Sequence, residues 1–167
     1  MAVPVVSVAQ MRQWESASWS AGVSEAEVIE RVGREVARRA RALTEPGQRV
    51  LLLGGAGHNG DDIRAALAHL PDRTVTRFDC KDPAADLGPL RMLLKPGPAM
   101  VVDGLFGIGL NRPLSAAWQE MIQAVNDSGI PVLAMDVPSG LNADTGQAGG
   151  AAIQAVETLC VGAPKRG

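Results

Sequence analysis

The clearest repeat in the chain lies between Ser24 and Leu43, where Val28, Ile29, Val32, Val36, Ala37 and Ala40 recur at spacings of three and four. Glu30, Arg34, Arg38 and Arg41 fall on the opposite side, so the segment predicts an amphipathic helix with one buried stripe. Ser24 followed by Glu27 has the form of a capping box at its start. An earlier helix is expected from a cap at Ser7 to about Ala21, stopped at Gly22. After the break at Glu45-Pro46-Gly47 the pattern changes. Arg49–Gly54 is apolar without alternation, as expected of a strand covered on both faces. Helix and strand then alternate: a helix from Asp61 or Asp62 to Leu70, a strand over Thr74–Phe78, and a loop leading into a helix over Asp82–Leu94. A strand over Ala99–Asp103, a helix capped by Ser115 and running to Asn126, a strand over Pro131–Asp136 and a short strand over Thr158–Val161 complete the series. Asn142–Ala152, rich in Gly and Ala, reads as a surface loop.

This alternation predicts an α/β fold of the Rossmann-like, doubly wound kind, a mainly parallel sheet with helices on both faces. Sites in such folds lie outside the carboxyl ends of the strands. At 167 residues the chain fits one domain, 1–167. A formal net charge of -2 and an aromatic content of 3% without Tyr argue against a basic nucleic-acid module or a stacking platform for single strands. No apolar run approaches the roughly 20 residues that span a bilayer. The first ten residues lack the basic flank and apolar stretch of a signal peptide. Two cysteines, Cys80 and Cys160, suit a reducing compartment, so a cytoplasmic location is expected, with no nucleic-acid or membrane partner.

Three strand ends carry chemistry. Gly55-Ala56-Gly57-His58-Asn59-Gly60 has the G-x-G-x-x-G form between a strand and a helix, where backbone N–H groups can meet a phosphate; the same glycines would also serve a tight turn with no ligand. Asp79 follows at the end of the second strand, where a ribose-binding acid would stand in a dinucleotide fold. Asp103 opens Gly104-Leu105-Phe106-Gly107-Ile108-Gly109-Leu110, and Asp136 opens Val137-Pro138-Ser139-Gly140-Leu141. Each acid alone could be a cap or turn former, but two acids at neighbouring strand ends would share one crevice and could hold a cation or move a proton.

Gly57–Asp62, Val102–Leu110 and above all Met135–Gly146 resemble the YjeF N-terminal domain family, the NAD(P)H-hydrate epimerases. Gln10-Met11-Arg12 through Gly33 is similar to that family's first two helices, and Leu159–Gly167 to its Gly-x-Pro-Lys segment. The resemblance implies interconversion of the R and S forms of hydrated NADH or NADPH, which would be the substrate and not a cofactor. It further implies a potassium ion held by Asn59, Asp103 and Ser139. The dinucleotide would lie along His58, Asn59, Gly60, Asp61 and Asp62 and along Gly107, Ile108, Gly109, Leu110, Asn111, Arg112 and Pro113, with Asp136 beside the reacting ring. Asp136 is then the expected acid/base, and Lys81 falls where some members carry a lysine near the ring.

Against the family's Asn-Asn-Gly-Gly-Asp-Gly loop this chain has His58, Asn59, Gly60, Asp61, Asp62 and Ile63. A side chain at Asp61 is expected to crowd a phosphate and to repel it. The family's closing C-terminal strands are expected to be missing, leaving an open sheet edge for a second copy or a partner chain to cover. These departures keep open an alternative, a degenerate member that acts as a binding or scaffolding subunit. An NAD-dependent oxidoreductase using Gly55–Gly60 and Asp79 would leave Asp136–Gly140 without a role.

Overall fold

The structure is a computed structural model that describes residues 3–167. Its centre is a five-stranded sheet of β1 (Arg49–Gly54), β2 (Thr74–Asp79), β3 (Met100–Gly104), β4 (Val132–Met135) and β5 (Glu157–Leu159). The order across the sheet is β2-β1-β3-β4-β5, and every pair is parallel. Parallel neighbours need crossovers, and the helices that make them cover both faces, so the doubly wound expectation holds. The helices are α1 (Val8–Ser20), α2 (Glu25–Leu43), α3 (His58–Ala66), α4 (Pro83–Leu94) and α5 (Ala116–Asp127). The chain winds outward from β1 to β2 and then returns past β1 to β3. The order therefore reverses between β1 and β3, and a crevice opens at their carboxyl ends.

Strand periodicity sorts the core into two layers. Leu51, Leu53 and Val101 pack on one side with Leu90 and Leu94 of α4 and Met121, Ile122 and Val125 of α5. Val50, Leu52, Met100 and Val102 face the other way, against Val36, Ala37 and Ala40 of α2 and Ile63 and Ala66 of α3. The stripe read from α2 is thus largely core, although Val28 and Ile29 at its first turns remain half-buried. Arg39 of α2 forms a two-pronged ion pair with Glu157, which ties this helix to the edge strand β5. No helix among the described residues is long and apolar enough to cross a membrane.

Two local readings need correction. Ser24 occupies the N-cap of α2, but its side chain makes no capping hydrogen bond; Glu25 and Glu27 in the first turn complement the helix dipole instead. The reciprocal box belongs to α1, where Ser7 Oγ accepts from the Gln10 N–H and Gln10 Oε1 accepts from the Ser7 N–H. The second correction is that α3 starts at His58, three to four residues before the expected start, with Gly57 as its N-cap.

The packing of α2 on α3 depends on Gly33. A Cβ there would lie 2.6 Å from the Ala65 Cβ and 2.8 Å from backbone atoms of residues 65 and 66. Alanine would gain about 1 kcal/mol of helix propensity. Overpacking against a backbone that cannot yield costs about 1–3 kcal/mol, and this term is larger. Gly33→Ala should therefore lower the urea midpoint of unfolding; an unchanged or raised midpoint would show that the two helices can separate freely.

Candidate active site

The loops after β1 and β3 and the residues after β4 surround a cleft of about 1080 Å³ at the point where the strand order reverses. Its walls include Gly55–Asn59, Asp62, Lys81, Leu105–Arg112, Asp136 and Lys165, and its outer wall is formed by α1 and the start of α2. Among the expected dinucleotide contacts, His58, Asn59, Asp62, Gly107, Ile108, Gly109, Leu110, Asn111, Arg112 and Asp136 line this cleft. Gly60, Asp61 and Pro113 lie outside its walls.

The helical start of α3 explains the first two. A Cβ at Gly60 would fall 2.1 Å from the Gly55 carbonyl oxygen, so this glycine lets the first turn of α3 pack onto the loop after β1. The glycine pattern here serves backbone packing. Asp61 has an ordinary negative φ and turns away from the cleft, its carboxylate accepting from Arg64 Nη1 at 2.6 Å. Its side chain lies outside the cleft walls. Asn59 and Asp62, three apart on the helix, share the face that looks into the cleft, while Asp61 and Arg64 share another. His58 is 78% exposed at the mouth and pairs with Glu25 of α2 at 3.1 Å. Asp79 is not a cleft residue: its carboxylate accepts from Arg64 Nε at 3.1 Å and forms an ion pair with Arg77 at 3.0 Å.

Asp136 is the only described residue other than glycine with a positive φ, 63°. Such a conformation costs about 1–3 kcal/mol and persists only where its surroundings enforce it. They do so here. The Asp136 N–H donates to the Leu159 carbonyl at 2.8 Å, and Oδ1 accepts from the Val161 N–H at 3.2 Å and from Lys165 Nζ. Lys165 also donates to the Val161 carbonyl at 2.7 Å, and it is 8% exposed. Sequence reasoning gave Lys165 no role. Its partner lies 29 residues away, and the only signal was its place in the Gly-x-Pro-Lys segment. Lys81 lines the cleft but is exposed.

Asp103 is fully buried and accepts from the Leu105 N–H, the Ser139 N–H and, at 2.7 Å, the Ser139 hydroxyl. Burial pushes its carboxyl up to about 6 against the pull of these hydrogen bonds. No cationic side chain among the described residues pairs with it. Ser139 Oγ in turn accepts from the Phe106 N–H at 2.9 Å, and Asn59 Nδ2 donates to the carbonyls of Phe106 and Met135, both at 3.1 Å. Asn59, Asp103 and Ser139 are thus brought together, with oxygen donors from three strand ends. No group of three or more His, Cys, Asp or Glu among the described residues is placed to hold a metal ion. The Cys80 thiol is buried against the Met121 sulfur and is pushed up to about 12 by burial, which makes it a poor nucleophile.

Asp62 differs from both. It is 6% exposed and lines the cleft, and its carboxyl oxygens, which take no hydrogen bond from the described residues, stay open to the cleft. Burial, and then the negative charges of Asp136 and Asp61, raise it to about 7. The folded chain therefore keeps a proton that the unfolded chain releases near pH 4, so Asp62 lowers stability progressively as pH rises from about 4 to about 7. Asp62→Asn should remove this loss and exceed the parent in stability by roughly 1–3 kcal/mol at pH 8, with little difference at pH 3.5. Urea melts at the two pH values measure it, and an equal difference at both would place Asp62 in contact with solvent.

Known proteins place this architecture. The family described as YjeF-related protein N-terminus matches residues 72–167. An NAD(P)H-hydrate epimerase of Achromobacter xylosoxidans is 40% identical over 93% of this chain and 82% of its own length. A bifunctional NAD(P)H-hydrate repair enzyme of Gloeobacter violaceus is 36% identical over 99% of this chain, which spans 37% of that relative. The crystal structure of the yeast protein YNL200c superposes with a TM-score of 0.81 at 21% identity, covering 98% of this chain and 82% of the yeast one, and so shares the fold. By sequence match and by fold, this chain belongs to the YjeF-related N-terminal family.

Proposed function

We propose that the chain interconverts the R and S forms of hydrated NADH or NADPH. The observation that carries this reading is the buried Asp136–Lys165 pair, held at positive φ at the inner end of a cleft large enough for a dinucleotide. The relatives named as an NAD(P)H-hydrate epimerase and an NAD(P)H-hydrate repair enzyme suggest the substrate class. In the hydrate the hydroxyl sits on a ring carbon next to nitrogen. The nitrogen lone pair can expel it once the departing oxygen gains a proton, and the resulting planar iminium can take water on either face. A carboxylate beside the ring favours this cation over the neutral hydrate, which is selective stabilisation of the charged species. Asp136 suits that part, because its Oδ1 already accepts two hydrogen bonds, and Lys165 fixes its direction. Lys81 at the cleft wall is placed to meet a phosphate or the ring from the solvent side.

Potassium fits Asn59, Asp103 and Ser139. Their donors are hard oxygens, and the Asp103 carboxylate is buried with only dipoles around it, so a cation there would supply the missing charge. The ion would neutralise Asp103 and hold the ends of β3 and β4 and the start of α3 together. Its contribution is to order the cleft.

The test follows the R and S forms of hydrated NADH by chromatography in potassium buffer with purified protein. Interconversion above the spontaneous rate is expected, and a folded protein without it would overturn the reading and favour the scaffolding alternative. Replacing potassium by tetramethylammonium should lower the rate by about tenfold or more, since an unpaired buried carboxylate costs several kcal/mol or takes up a proton. An equal rate in both salts would remove the ion from the site.

A further inference from the structure

Asp62 and Asp136 both reach the cleft from nearby positions, yet their surroundings are opposite. Asp136 accepts from an ammonium group and a backbone N–H. Asp62 receives no hydrogen bond from the described residues, is 6% exposed with its carboxyl open to the cleft, and feels the negative charges of Asp136 and Asp61. A carboxylate in that position would be a buried charge without a partner, so the neutral acid is the form that the surroundings favour. Two carboxyls in such different surroundings commonly divide the acid and charge-stabilising parts of a reaction.

Resting on the epimerase reading above, we propose that Asp62 is the general acid of the reaction. Its carboxyl proton passes to the departing hydroxyl as the carbon–oxygen bond breaks and the ring nitrogen lone pair forms the C=N bond, releasing water and leaving the Asp62 carboxylate beside the iminium. In the return step water adds to the same carbon, the C=N electron pair goes back to nitrogen, and the proton of the incoming water goes to Asp62. Addition of water to the opposite face of the planar iminium gives the other epimer. Asp136, held by Lys165, accompanies the cation. This assigns the donor part to a residue on α3 and leaves Asp136, the acid/base expected from the sequence, with charge stabilisation.

The other titratable groups around Asp62 are accounted for. On its own helix, Asp61 is bonded to Arg64, and His58 pairs across the mouth with Glu25 of α2. From beyond β4 comes Asp136 with Lys165, and Asp103 of β3 is bonded to Ser139. Arg12, Glu15, Arg31, Lys81 and Arg112 also line the cleft, and none of these groups makes a hydrogen bond to Asp62.

The experiment compares parent and Asp62→Asn for turnover of hydrated NADH, with the spontaneous rate subtracted. Loss of a general acid should lower kcat by about 100-fold or more while KM changes by less than about threefold. A kcat retained within tenfold, or a loss confined to KM, would overturn the assignment while the parent's turnover keeps the epimerase reading. A parent without turnover would overturn both. The pH profile of the parent needs no variant: kcat should fall about tenfold per pH unit above neutrality, as the acid form is titrated away. A profile flat between pH 6 and pH 9 would also overturn the assignment.

Discussion

The buried contact between Asp136 and Lys165 governs the geometry of the cleft. It joins the end of β4 to a segment that follows β5, and so carries the pairing of these neighbouring strands beyond their ends into the crevice. Desolvating two charges is expensive, and a well-packed apolar pair would often serve stability as well or better. The pair also holds an aspartate in a left-handed conformation that most side chains avoid. A contact that is expensive in desolvation and accompanied by backbone strain is hard to explain as a stabilising device. It is readily explained as a means of fixing the direction of one carboxylate.

The glycines of the first loop show how one pattern can carry two meanings. Gly55 and Gly60 meet each other across the start of α3, and that close approach brings Asn59 and Asp62 to the inner face of the cleft. Packing and chemistry are linked here, because the turn that seats the helix on the sheet also turns two polar side chains inward. The departures from the family loop at His58 and Asp61 fall on positions that point to the mouth or away from the cleft. They leave the inner face intact.

Most of the fold was legible because strand and helix signals are local. The unalternating run at Val50–Leu53 marked a strand covered on both sides, and the stripe through Val36 and Ala40 marked the helix that covers one of them. The acids at residues 103 and 136 were legible as strand-end residues for the same reason. What the sequence hid was relational. Ser7 and Ser24 look alike as caps, yet only Ser7 closes a box. His58-Asn59-Gly60 has the composition of a loop, and only contact with Gly55 makes it the first turn of a helix. The partnership of Lys165 with Asp136 depends on a backbone conformation with no signature in residue type. The isolation of Asp62 depends on what fails to reach it, which no motif records.

The segment that carries Lys165 is itself fastened to the opposite end of the chain, since Val6 and Lys165 form a parallel bridge and the Val6 N–H donates to the Pro164 carbonyl at 2.9 Å. Contacts between residues so far apart in sequence form late, because closing a long loop loses entropy before any contact repays it. The sheet can assemble from neighbouring βαβ units while this bridge is still open and the segment that carries Lys165 is unfastened. Competence for chemistry is therefore a late event in folding: a chain can acquire its native secondary structure, and much of its core, some time before it has a working cleft.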